Sequence, residues 1–178
     1  VYQVDSPTGN ISYDSAKVWM QHPFVQKAIP LAFGDNYRGY KILGTTPDYL
    51  EKYGAKIAEG KLFEKNFEVV IGSDIAKKLS LKIGDEFFGS HGDAAEGEVH
   101  NQYAYKIVGI ANPTGKVVDN LILCNIPSVW QMHGTHDAGE HIHSEECHHE
   151  HHQTDLTINE PNMEITAVLL KFRNKMGI

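Results

Sequence analysis

The chain has 178 residues, 41% of them hydrophobic, enough for one good core or for two small subdomains that share an interface. Its net charge of -7 argues against a nucleic-acid partner, which calls for a basic face. No run reaches the apolar length of a membrane span, and two cysteines set no disulfide framework.

The chain opens at VYQVDSPTGNISYD with neither an initiator methionine nor a signal peptide, as a piece cut from a longer protein would. Helix and strand signals then alternate without an internal repeat. Ser12 or Asp14 caps a helix through SAKVWMQ, and Pro23 suits the first turn of a second helix, PFVQKA. IPLAFG and YKILGT read as strands flanking the turn GDNYRG. A helix over TPDYLEKY has Pro47 near its start and Asp48 in its first turn, and ends at Gly54.

The middle of the chain is more regular. FEVVIG is a short buried strand, and Ser73 caps the amphipathic helix SDIAKKLS, whose Ile75, Ala76 and Leu79 share a face. LKIGDEFFG turns at Gly84 and Asp85 into another strand. The polar stretch SHGDAAEGEVHNQ separates it from YAYKIVGIA, where alternation turns one face inward. DNLILCNI is a further strand, PSVWQMHG a short helix with Pro127 at its start, and EITAVLLKF a last strand. The helical SDIAKKLS face is expected to pack on a sheet containing VVIG, YKIVGI and LILC.

One segment belongs to neither pattern. HGTHDAGEHIHSEECHHEHH, His133 to His152, holds eight of the eleven histidines, five carboxylates and a cysteine. Affinity tags are terminal and unbroken, whereas this run is internal and interrupted. It has almost nothing to bury, so its ordering must draw on something other than a core, and without metal it is expected to be largely disordered to about Asn159. Neutral imidazole, thiolate and carboxylate suit zinc, with nickel, copper or cobalt as competitors. The candidate ligands are His136, His141, His143, Cys147, His148, His149, His151 and His152. Their spacing matches neither a zinc finger nor a HExxH helix, so the signal is for affinity rather than geometry.

The succession VVIGSDIAKKLSLKIGDEF, YKIVGI, PTGKVVDNLILCNIPSVWQMH and EITAVLLKF resembles the extracytoplasmic core domain of MacB/FtsX-type ABC transporter permeases. IPLAFGDNYRGYKILGTTPDYL and GAKIAEGKLF fit the same order, so the resemblance runs from about Val4 to Arg173 and breaks chiefly at the His-rich stretch. It implies an α+β fold: a mixed sheet with short helices, in two small subdomains, here with a long His-rich loop. It also implies one extracytoplasmic domain over 1–178 with an insertion at about 133–160. Such a domain lies on the periplasmic or extracellular face, anchored by transmembrane helices outside this chain. It works in a permease dimer driven by a cytoplasmic ATPase, so no nucleotide-binding loop is expected here.

Chemistry within the body of the domain is thin. Asp74 reads as a first-turn residue of a helix, and Asp85 and Asp119 as turn residues, rather than as catalysts. His22, His91 and His100 are far apart in sequence, and Cys124 in LILC reads as a buried small hydrophobe. The leading expectation is a non-catalytic domain that handles cargo or a partner and couples to ATPase-driven motion, with zinc bound by the loop. The alternative is a zinc sensor or buffer whose loop orders on metal. Metal-dependent hydrolysis ranks last, because it needs three fixed ligands, an open position and a general base.

Overall fold

The computed structural model of the chain describes residues 9–90, 103–133, 157–158 and 162–173. Runs such as Val69-Val70-Ile71 and Ile122-Leu123-Cys124 are apolar at successive positions, so as strands they are hydrophobic on both faces and belong at the centre of a sheet covered on both sides. They do lie there. Among the described residues, eight strands form one mixed sheet. The strands are β2 (Val25–Tyr37), β3 (Tyr40–Thr45), β4 (Ile57–Gly60), β5 (Glu68–Ile71), β6 (Glu86–Phe87), β7 (Tyr105–Ala111), β8 (Ile122–Asn125) and β10 (Ala167–Phe172). Their order is β10-β2-β3-β8-β5-β7-β4, with β6 also on β7. The pairs β3·β8 and β5·β7 are parallel and the others antiparallel. A separate two-stranded ribbon joins β1 (Ile11–Ser12) to β9 (Glu164–Ile165).

Alternate side chains feed two cores, one on each face. On the first face Ile42, Val69, Ile71, Ile107, Ile122 and Cys124 meet helices α1 (Tyr13–Met20), α3 (Ser73–Leu79) and α4 (Ile126–His133) through Tyr13, Ile75 and Trp130. On the second face Leu43, Val70, Val108 and Leu123 meet α2 (Asp48–Tyr53) through Tyr49 and Leu50, and a 3-10 turn over Val117–Asn120. The expected packing of SDIAKKLS on the VVIG, YKIVGI and LILC strands is therefore present: Ile75 is fully buried, with Ala76 and Leu79 partly buried beside it. The α+β mixed sheet with short helices is as the resemblance implies.

Several elements differ from the reading of the sequence. PFVQKA is not a helix: from Val25 onward it opens the 13-residue strand β2. Its five-residue remainder before Pro30 is too short to nucleate a helix alone, and proline pushes Ile29 towards extended backbone. Residues 25–31 instead pair with the antiparallel strand β10, Pro30 facing Val168, and the ladder to β3 starts only at Ala32. That ladder does not need the amide Pro30 lacks. Ser73 does not cap α3; the cap position is Gly72, which lacks a side chain to bond, and Ser73 is buried as the first helical residue. Gly72 is required by a close crossing, since a Cβ there would lie 2.3 Å from the Asp119 carbonyl oxygen. EITAVLLKF is broken at Thr166, whose amide and hydroxyl both donate to Leu31 O at 2.8 Å while its hydroxyl accepts from Phe33 N at 3.0 Å. The helix over Asp48–Tyr53 ends as expected at Gly54, with φ of +70°.

Candidate functional site

All eight residues proposed as metal ligands, together with His91 and His100, lie outside the described residues. What is described is where the His-rich segment leaves and rejoins the fold: it follows α4, and beyond it Thr157 and Ile158 come to rest against a groove. Among the described residues no three His, Cys, Asp or Glu side chains gather as metal ligands would.

The groove encloses about 490 Å³ and lies at the carboxyl ends of the parallel strands β3 and β8, where Thr45 pairs with Asn125. Crevices at such strand ends are where open α/β sheets accept ligands. Its walls are Thr45, Thr46 and Pro47 on one side and Phe63 to Asn66 on another, with Asn125 to Pro127 at the start of α4. The polar groups are tied together beneath it. Asn125 Oδ1 accepts from Ser128 N at 3.0 Å and from the Ser128 hydroxyl, capping α4. Ser128 Oγ in turn accepts from Phe67 N at 2.8 Å. Asn125 Nδ2 donates to Asn66 Oδ1 at 2.7 Å, and Asn66 Nδ2 to Gln131 Oε1 at 3.3 Å.

That network holds Phe67 at φ of +62°, a conformation that costs a bulky L-residue. The ring compensates by stacking on Tyr103 at 4.6 Å, nearly coplanar, and meeting Tyr105 edge-on at 5.6 Å. Sequence reading did not find Asn66, Ser128 or Gln131. The one available signal was Asn125 three residues ahead of Ser128, the spacing of an N-cap.

The other singled-out residues have structural settings. Asp119 is buried and accepts from Thr114 N at 3.0 Å, Thr114 Oγ1 at 2.7 Å and Gly115 N at 2.6 Å, so it closes the PTGK turn. Asp74 accepts from Asn120 Nδ2 at 3.3 Å, and Asp85 from Lys82 N at 2.8 Å. Cys124 is fully buried, which pushes its thiol far above the usual range and keeps it protonated. His22 lies on the surface between Trp19 and Phe24, with ring centroids at 6.4 and 5.2 Å. The described groups thus form a binding groove and a surface rather than a reactive constellation.

The fold has known counterparts. The chain is similar to the extracellular domain of the noncanonic ABC-type transporter YknZ from Gram-positive bacteria, with a TM-score of 0.57 and 9% identity over 93% of this chain and 75% of that one. It is also similar to the periplasmic region of MacB from Actinobacillus actinomycetemcomitans, with a TM-score of 0.52 and 12% identity. That likeness covers 68% of this chain, which spans 57% of the MacB region's length. No curated protein matches the chain. The family of MacB-like periplasmic core domains matches residues 1–169, nearly the whole sequence. The chain therefore belongs to the MacB-like periplasmic core domain family, extracytoplasmic domains of ABC transporter permeases.

Proposed function

We propose that this domain has no reaction of its own, and that it engages cargo or a partner outside the membrane and passes on motion driven by a cytoplasmic ATPase in a permease dimer. The family match over residues 1–169 carries this reading. The described groups support it: a groove lined by amides, hydroxyls and apolar walls suits reversible binding. In the full-length protein, apolar runs of about twenty residues should flank the domain. A cysteine introduced at exposed Ser15 should react with a membrane-impermeant maleimide applied to intact cells. Soluble flanking sequence, or a cysteine protected until the cells are opened, overturns the reading. Detectable ATP binding by the 178-residue chain, or hydrolase turnover lost with one carboxylate, overturns its non-catalytic part.

The density of ligands in the His-rich segment favours a second role, zinc binding through a subset of His136, His141, His143, Cys147, His148, His149, His151 and His152. Single His to Ala changes should weaken binding little, because a four-coordinate ion has more ligands available than it uses. Deleting Thr135 to Gln153 should abolish it. Because imidazole must be neutral and the thiol ionised, affinity should fall as pH drops through about 6.5. Zinc titration of the intact and deleted chains at two pH values tests this, and equal binding by both would move the site elsewhere.

A further inference from the structure

One end of the domain carries an apolar surface that the groove and the His-rich segment leave unexplained. α1 buries Tyr13 and Ala16, yet its outer side presents Val18, 70% exposed, and Trp19, 66% exposed. Phe24 is 62% exposed and Phe172 is exposed beside it, because Phe172 pairs with Val25 and Arg173 N donates to Phe24 O at 2.9 Å. A short helix on a water-facing surface ordinarily turns polar residues outward. Here rings project instead.

Charge is segregated in the same place. The chain contains 23 carboxylates, but none falls between Ser15 and Gly34 or between Thr166 and Ile178, the two segments that build this end. Lys171 and Arg173 are exposed there, in a chain of net charge -7. The chain also leaves the sheet there, at Arg173 beside Phe24. A protein partner could be met on any face; a bilayer is met where the tether leaves the fold. Indole and phenyl rings flanked by cations match the headgroup layer, where an apolar body is buried and the polar edge stays wet.

We propose that the end of the domain formed by Val18, Trp19, Phe24 and Phe172, with Lys171 and Arg173 beside them, seats on the headgroup layer of an anionic bilayer. This rests on the permease reading above. The 178-residue chain should sediment with vesicles of equal parts phosphatidylcholine and phosphatidylglycerol, and much less with phosphatidylcholine alone. Binding should shift tryptophan emission to the blue, and the shift reports Trp19, because Trp130 is already buried. Trp19→Ser combined with Phe24→Ser should abolish sedimentation, while unchanged Trp130 emission shows the fold intact. Lys171→Ala with Arg173→Ala should weaken binding to anionic vesicles by about thirtyfold. A chain that ignores both vesicles, or binds equally well after the two serine changes, overturns the proposal. So does a wild-type chain that self-associates through this face, losing that association in the serine variant without ever binding vesicles. If maleimide labelling places the domain outside the cell and vesicle binding fails, only this inference falls.

Discussion

Trp130 Nε1 donates a 2.6 Å hydrogen bond to the carbonyl oxygen of Glu164, joining α4 to β9. These residues bracket the whole His-rich excursion, so its base is clamped by the fold and not by the excursion itself. Tyr13 completes the clamp, meeting the Trp130 ring edge-on at 5.5 Å. Trp130→Phe leaves a buried carbonyl without its donor and should cost about 1–3 kcal/mol in denaturant unfolding. Deleting Thr135 to Gln153 should leave the unfolding midpoint almost unchanged. A large loss on deletion would place part of the core in the excursion.

Ile75 and Asp74 sit one residue apart on α3 with opposite exposure to the core. Ile75→Ala opens a cavity against Ile71 and Ile107 and should cost about 2–5 kcal/mol. Asp74→Asn forfeits one first-turn charge and should cost about 0.3–1 kcal/mol. Urea titrations of the two variants check the contrast.

Asp119→Ala should be among the most damaging polar changes. It strands the Thr114 and Gly115 amides and the Thr114 hydroxyl in a part-buried turn, at about 1–3 kcal/mol for each unmet donor that water cannot reach. The same turn delivers the Asp119 carbonyl to Gly72. Gly72→Ala should therefore destabilise as well, by collision with backbone, and combining it with Asp119→Ala should cost less than the sum of the two. Additive losses would show that the two positions act separately.

Glu68 opens β5 and gathers the preceding turn. Burial alone would raise its pKa, but the amides of Glu64 and Lys65, at 2.8 and 3.1 Å, and the Lys61 ammonium outweigh it and hold the carboxyl below its usual value. A folded-state pKa below the unfolded one contributes stability that is complete above the unfolded value of about 4.3 and is lost as pH falls through the folded one. Glu68→Gln should thus lower stability at neutral pH, and the gap to wild type should close on acidification below pH 4.3 or so. A gap constant with pH would refute the assignment.

Central strands were legible because Val69 to Ile71 and Ile122 to Cys124 are apolar at every position, and TPDYLEKY-Gly because a glycine that ends a helix signals itself locally. The edge strand Ile57–Gly60 could not be read that way: its side chains are mostly exposed, so no alternation marks it, and only pairing with β7 makes it a strand. PFVQKA failed for a related reason, since Val25 and Ile29 repeat at a helical spacing and β10, which overrides it, lies some 140 residues on. The groove was hidden almost entirely. Asn66 and Asn125 meet across 59 residues, and nothing near either one announces the other.

The 13 residues of β2 make a rod of roughly 40 Å that carries β10 along its first half and β3 along its second. Its first residue and the last of β10 lie at the same end, Val25 opposite Phe172. A pull entering at both strands from that end is co-directional, so it does not slide β10 along β2 and no rung of their ladder is sheared. The load passes instead to β3, whose ladder to β2 is interrupted between Phe33 and Asn36, and the sheet yields first at that interruption rather than at its anchorage.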